Sequence, residues 1–395
     1  MEWQVKKLGD VCRLINGRAY KKHEMLSEGK YPLLRVGNFF SNRSWYYSDL
    51  ELDDDKYCDK GDLLYAWSAS FGPRVWDGSK VIYHYHIWKI ELNHGLVDKK
   101  YLFHLLDWDT EQIKAEQGTG STMLHVTKGA MENRLLPFPT ISEQKRIVAI
   151  LDEIFADIEQ VRAKTEQNLK NARELFESYL QQVFNQRGEG WVEKTLGDAV
   201  IVERGSSPRP IKNFQTDSDD GVNWIKIGDA KEGQKYIVST REKITKEGAM
   251  KSRFVDVGDF ILSNSMSFGR PYIMAIPGYI HDGWFVLRLP NDIDSNYFYY
   301  LLSSPYVREQ FKNLAAGAIV KNISGDLVKK VILPLPSLAE QKKIAEKLKI
   351  FSLQVESLKG IYNKKSEHVD ELKKSILQKA FSGELTQKNN QGAVA

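Results

Sequence analysis

The 395-residue sequence predicts a mixed α/β (α+β) protein: two tandem globular modules and two long helices that pair with each other as a coiled coil. Three observations predict this. The chain repeats itself along its length. Each repeat closes on a capped helix with a heptad seam. The residues ahead of each helix fall into short β-branched and aromatic runs bounded by Gly, Asp and Pro.

The repeat is visible from the first residues. Trp3-Gln-Val-Lys-Lys-Leu8-Gly9-Asp10 returns as Trp191-Val-Glu-Lys-Thr-Leu196-Gly197-Asp198, and Leu34-Arg-Val-Gly37-Asn38 as Ile225-Lys-Ile-Gly228-Asp229. Gly61-Asp62 with Ser68-Ala-Ser-Phe71-Gly72 is matched by Gly258-Asp259 with Ser265-Met-Ser-Phe268-Gly269. The offset grows from 188 to 197 between these pairs, as loop insertions in a duplicated module produce. Leu63–Trp67, Val81–Trp88 and Phe260–Ser263 read as strands. Tyr101–Asp107 and Tyr297–Ser303 read as short helices, followed by others near Glu111–Gln117 and Tyr306–Leu314. The strand order is not readable.

Each long helix starts with a hydroxyl followed three residues later by Glu: Thr140-Ile-Ser-Glu143-Gln-Lys-Arg-Ile147 and Ser337-Leu-Ala-Glu340-Gln-Lys-Lys-Ile344. In such a capping box the hydroxyl accepts an otherwise unpaired backbone N–H, and the glutamate reaches back. Both starts follow a Pro-x-Pro step. The expected seam of the pair is Ile147, Leu151, Ile154, Ile158, Val161 and Leu175 in the first helix, and Ile344, Leu348, Phe351, Val355, Leu358, Leu372 and Ile376 in the second. Polar Thr165, Asn168 and Lys365 near the middle of the seam are expected to fix register. Gln186–Gly190 is the hinge between repeats, and Gly383 is a helix C-cap.

Composition excludes more than it proves. A net charge of +4 with 27% charged residues, the two signs balanced within each module, does not announce a nucleic-acid binder in bulk. The two cysteines, Cys12 and Cys58, have no CxxC pattern or companion histidines, so neither a disulfide framework nor a metal site is indicated. His84 and His86, two apart on an expected strand, suit packing better than ligation. The opening residues lack a signal-peptide pattern, and the expected location is cytoplasmic. No phosphate loop, dinucleotide fingerprint, zincin helix or Asp/Asn-Pro-Pro-aromatic tetrad occurs, so no catalytic residues are assigned.

Contact chemistry remains. The Gly17-Arg18-Ala-Tyr20-Lys21-Lys22 loop and its counterpart Arg204-Gly-Ser206-Ser207-Pro-Arg209-Pro-Ile-Lys212 combine Gly, Ser and Pro with spaced cations. This suits backbone and guanidinium contact with phosphates or guanine edges. Asn38, Trp67, Ser68, Arg74, Asn264, Ser265, Arg270, Lys321 and Asn322 complete the candidate DNA-binding residues. Residues common to both repeats serve fold or sequence-blind contact. Those that differ at equivalent loops, Tyr20-Lys-Lys against Ser207-Pro-Arg and Trp67 against Asn264, are where two different recognitions would be written.

Two variable α/β modules, each ending in Leu-Pro-x-Pro and Glu-Gln-Lys-(Arg/Lys)-Ile before a long helix, resemble the specificity subunit of Type I restriction-modification enzymes. The resemblance covers essentially the whole chain. It implies target recognition domains at 1–140 and 188–337, spacer helices at 141–187 and 338–385, and a flexible tail at 386–395. It implies that each domain reads one half of a bipartite, asymmetric DNA site. The helices would pack antiparallel and set the gap between half-sites, about 65–70 Å of helix corresponding to about 20 base pairs. The implied partners are double-stranded DNA, two methylation subunits carrying S-adenosylmethionine for adenine-N6 methylation, and restriction subunits using ATP and Mg2+. The subunit itself would need no cofactor and would catalyse nothing. Other readings stay open: a coiled-coil scaffold without DNA specificity, a nuclease or methyltransferase with a cryptic site, and a stand-alone subunit that re-targets another system's enzyme.

Overall fold

A computed structural model describes residues 3–41, 44–68, 70–117, 125–231, 233–264, 269–315 and 324–386. The chain divides into two compact units, one of residues 1–165 with 364–395, the other of residues 166–363. Each unit holds one module and a stretch of both long helices, which run over Ile141–Asn185 and Leu338–Phe381. Among the described residues no helix is long and apolar enough to cross a membrane.

In the first unit the module carries two four-stranded sheets. One has the order Cys12–Asn16, Ile87–Leu92, Leu63–Ala66, Gly72–Val75, all antiparallel. The other runs Tyr46–Ser48, Tyr31–Leu34, Val81–Tyr83, Tyr57–Cys58, with the middle pair parallel. The second unit repeats this plan with one more strand in each sheet: Ile201–Arg204, Trp284–Arg288, Phe260–Ser263, Pro271–Met274, Tyr236–Ile237, and Gln215–Thr216, Glu242–Ile244, Val222–Ile225, Gly278–Ile280, Arg253–Val255. The parallel pair recurs as Val222–Ile225 with Gly278–Ile280.

Packing explains why the central strands read as unbroken apolar runs rather than as an alternation. In Leu63–Ala66, Leu63 and Tyr65 face the helical core, while Leu64 and Ala66 face the second sheet. Phe260 and Leu262 face the helices in the second unit, with Ile261 turned to the other sheet. A strand covered on both faces has no solvent side to mark with polar residues.

Two elements differ from the sequence expectation. Val81–Trp88 is not one strand: Val81–Tyr83 belongs to the second sheet and Ile87–Leu92 to the first, and the chain crosses between them at His84-Tyr85-His86. The two helices expected after Lys99 in the first module are a single helix, Lys99–Gln117, whereas the second module breaks into Ser295–Ser303 and Pro305–Ala315. Pro305 disfavours helical backbone at the residue before it, and Ser304 is extended (φ −70°, ψ 150°). The first module has Trp108 and Asp109 there and no proline.

The repeated signature has a physical basis in both units. A two-stranded antiparallel ribbon, Gln4–Lys7 with Leu135–Phe138 and Val192–Thr195 with Ile332–Leu335, leads into each long helix. The Thr140 and Ser337 hydroxyls accept the N–H of Glu143 and of Glu340, each at 3.4 Å. The buried glutamine after each glutamate then brackets three backbone groups. Gln144 accepts from Asp98 N–H (2.8 Å) and donates to the Leu96 and Pro139 carbonyls (3.0 and 2.8 Å). Gln341 does the same with Asp294, Asp292 and Pro336 (2.8, 3.2 and 2.9 Å). Tyr101 and Tyr297 donate to the Pro137 and Pro334 carbonyls (2.8 and 2.6 Å).

Within each unit the long helices run antiparallel. In the first, Ile147, Val148, Leu151 and Phe155 share a core with Ile376, Leu377, Ala380 and Phe381, and Arg162 pairs with Asp370 at 2.5 Å. In the second, Phe176, Leu180 and Phe184 share a core with Ile344, Ala345 and Leu348, and Phe351 meets Tyr179 edge-on (4.7 Å). Of the expected seam, Ile147, Leu151, Ile158, Leu348 and Val355 are buried, and Ile154, Ile344, Phe351, Leu358 and Ile376 are half-buried. Val161 (38% exposed), Leu175 and Leu372 (50% each) lie outside the buried stripe, as does Lys365. An α-helix drifts by roughly 20° per heptad against a strict 3.5-residue repeat, so one edge of the stripe moves on by a residue. Phe176 takes the place of Leu175, while Val148 and Phe155 pack alongside Ile147 and Ile154, which stay covered themselves. Thr165 is buried, but its hydroxyl donates to its own helix at the Val161 carbonyl (2.7 Å), not across the pair.

Candidate nucleic-acid interface

In each module three segments converge where the chain crosses from one sheet to the other. The first is the loop after the opening strand. Gly17 donates to the Ile87 carbonyl at 3.2 Å, and Gly205 donates to Trp284 at 2.8 Å. A Cβ at Gly17 would lie 2.4 Å from the Tyr83 carbonyl oxygen, and one at Gly205 would lie 2.1 Å from that of His281. Only glycine lets these loops approach so closely.

The second segment is the crossing turn, His84-Tyr85-His86 or His281-Asp282-Gly283. The third is the residue after the central strand, Trp67 or Asn264. Trp67 N–H bonds the His86 carbonyl and Asn264 N–H bonds that of Gly283, each at 3.0 Å. Their side chains also make the same bond: Trp67 Nε1 donates to the Tyr85 carbonyl (2.8 Å) and Asn264 Nδ2 to the Asp282 carbonyl (2.7 Å). One backbone acceptor is served by indole in one module and by amide in the other.

The chemistry around the two turns diverges. In the first module the turn is aromatic. Trp67 stacks on Trp88 (5.7 Å, 19°) and meets His86 edge-on (4.9 Å), while His84 lies 4.8 Å from His86. Burial, then the neighbouring His86 and Arg35, push His84 down to about 4, and burial lowers His86 as well. Both rings are therefore neutral near pH 7. Arg18 gives both arms of its guanidinium to Glu24 (3.0 and 2.6 Å) and covers the Tyr20 ring at 5.0 Å. The Arg18 bond, with that from Lys21 N–H, draws the Glu24 carboxyl down to about 2. Arg18 is thus already paired, Tyr20 packs against the small core around Leu33 and Ile82, and Lys21 and Lys22 stay exposed.

In the second module the turn is acidic. The Asp282 carboxylate accepts from the Ser207 hydroxyl (2.8 Å) and from Arg209 (3.0 Å), and its main-chain carbonyl also takes Arg204 Nε (3.3 Å). Burial pushes the Asp282 carboxyl up, but the Ser207 and backbone bonds and the His281 and Arg209 charges outweigh it, and the net shift is downward. Ser206 donates to the Lys251 carbonyl (3.1 Å), and Lys212 is exposed.

Four of the sequence candidates in the second module, Arg204, Ser207, Arg209 and Asn264, thus meet at Asp282, and Arg18, Tyr20 and Trp67 meet around the first turn. Others lie elsewhere. Asn38 is buried and donates to the Ser44 carbonyl (3.3 Å). Arg74 bonds the Phe39 carbonyl and pairs with Asp77 (3.0 Å), under the Trp76 ring. Ser68 is buried and bridges to His125. The Arg270 carbonyl accepts from Ser263 N–H (3.4 Å). Ser265, Lys321 and Asn322 lie outside the described residues. The turns themselves escaped the sequence reading. A signal existed, because the offset of 197 that aligns Trp67 with Asn264 also aligns Tyr85 with Asp282.

Residues 1–170 and 188–364 each match the family described as the Type I restriction modification DNA specificity domain. The specificity subunit of the Escherichia coli Type I restriction enzyme EcoBI is 24% identical, over 97% of this chain and 86% of its own length. The MjaVIII specificity subunit of Methanocaldococcus jannaschii is also 24% identical, over 98% and 94%. Among solved structures, a chain from work on complex assembly and conformational transition of the type I R-M system superposes with a TM-score of 0.73, at 22% identity, over 97% of this chain and 98% of that one. The HsdS subunit of Thermoanaerobacter tengcongensis gives 0.55, also at 22% identity, with 97% of each chain covered. With two tandem modules on one plan, each matched by that domain, the chain belongs to the Type I restriction modification DNA specificity family.

Proposed function

We propose that this chain is the non-catalytic specificity subunit of a Type I restriction-modification complex, each module reading one half of a bipartite DNA site. The observation that carries the reading is the pairing of a constant scaffold with a changed tip. Gly17 and Gly205, and the side-chain bonds of Trp67 and Asn264, build the same crossing turn, while the groups displayed there are aromatic in one module and charged in the other. Conserved geometry with unlike side chains suits two readers of two different sequences. The exposed Lys21, Lys22, Arg209 and Lys212 supply cations for phosphate contact beside each turn.

The two long helices set the distance between half-sites and dock two methylation subunits, to which restriction subunits are added. S-adenosylmethionine, ATP and Mg2+ belong to those partners, and the reaction is methylation of adenine N6, with the base taken out of the stack. Near-equivalent modules present two similar docking surfaces, which suits two copies of one partner. Co-expression with the cognate methylation subunit, followed by genome-wide sequencing of modified adenines, tests this. One bipartite motif with adenines marked in both halves is the expected result. No modification in a verified complex would return the chain to a scaffold without DNA specificity.

A further inference from the structure

We propose that Arg209 and Asp282 act as one reading unit for a single G·C base pair in the half-site bound by the second module. The inference rests on the DNA-reading role argued above and adds a residue, a partner base pair and a geometry to it.

The two groups lie side by side and are differently held. Asp282 is fixed before any ligand arrives: Ser207 holds one carboxylate oxygen at 2.8 Å, while Asn264 and Arg204 hold its carbonyl at 2.7 and 3.3 Å. The Gly283 N–H bonds His281 Nδ1 at 2.6 Å and closes the turn. Arg209 is the opposite case. Its side chain is 78% exposed and its Nη2 reaches the second Asp282 oxygen at 3.0 Å, which leaves the rest of the guanidinium fork facing outward. The Asp282 side chain itself keeps 43% of its surface.

The pair therefore offers donors from Arg209 beside an acceptor from Asp282. The major-groove edge of a G·C pair offers the complement: acceptors at guanine N7 and O6, then a donor at cytosine N4. An A·T pair places its N6 donor where the guanidinium needs an acceptor, and thymine O4 faces the carboxylate. A bare carboxylate at a DNA-facing turn repels every phosphate equally. One neutralised by an adjacent arginine repels less and discriminates by base. The first module lacks the pair, since Tyr85 stands where Asp282 does and Arg18 is already engaged by Glu24. The two half-sites should accordingly differ at this position.

The test compares wild type, Asp282→Asn and Arg209→Gln, each in the complete complex with its methylation subunit, by sequencing modified adenines. Wild type should mark a motif with an invariant G·C pair in one half. Both variants should relax that one position by about 10- to 100-fold in discrimination and leave the other half-site unchanged. Arg209→Gln alters an exposed side chain, so it decides the matter if Asp282→Asn fails to fold. An unchanged motif in a folded variant, or an equal loss at all sites as for a phosphate contact, would overturn the pair while the DNA-reading role stands. A wild-type complex that marks no bipartite motif would overturn both.

Discussion

The glutamine of each Glu-Gln-Lys sequence shows how one side chain can hold two layers of a module together. Gln144 is fully buried, and each of its three bonds goes to a backbone group that has no other partner in a regular element. Removing the amide strands Asp98 N–H and the Leu96 and Pro139 carbonyls away from water, at a cost of about 1–3 kcal/mol. Gln144→Ala and Gln341→Ala should each lower stability by that order in denaturant titrations. Their effects should add in the double variant, because the two brackets belong to different units and share no partner. A double variant no worse than either single one would show that the brackets are not independent. The Thr140 and Ser337 hydroxyls cap the helices, the glutamine locks each to its module, and Tyr101 or Tyr297 ties the proline-bearing strand to the same place.

At the scale of the element, the long helices distinguish pattern from packing. Leu151 and Leu348 are fully buried, while Leu175 and Leu372 belong to the same sequence seam but are half exposed. Leu151→Ala or Leu348→Ala should therefore cost about 2–5 kcal/mol, through lost burial and the cavity left behind. Leu175→Ala and Leu372→Ala should stay within about 0.5 kcal/mol in the isolated chain. Equal losses at all four positions would restore the strict heptad seam. The short helices carry the same lesson in reverse. The Ser304-Pro305 step breaks the second module's helix, and its absence lets the first module's run on to Gln117.

For the whole molecule, duplication is the organising fact, and the helices are its proposed ruler. Each long helix contributes residues to both units. A heptad inserted into each, beside Thr165 and Tyr362, adds about 10 Å of helix and should lengthen the gap in the methylated motif by about three base pairs, both half-sites keeping their sequences. An unchanged gap in a folded, active complex would mean that something other than these helices sets the spacing.

The repeat, the capped long helices and the family were all legible in the sequence, because they depend on local chemistry and on residues recurring at fixed offsets. Capping boxes, Pro-x-Pro steps and apolar spacing act within a few residues of chain, so their meaning survives without coordinates. The strand order, the break of Val81–Trp88 into two strands and the position of the crossing turn were not legible. They are set by which distant strands pair, and a segment buried on both faces carries no alternation to report it. The candidate site divides the same way. Spaced cations and glycines marked the 17–22 and 204–212 loops, but only the tertiary structure brought Asp282 to Arg209, Ser207 and Asn264, and Glu24 back onto Arg18. Arg18 meets its carboxylate six residues along the same loop, whereas Arg209 meets Asp282 from 73 residues away. Which carboxylate holds which arginine is therefore written in the folded backbone and not in a local sequence pattern.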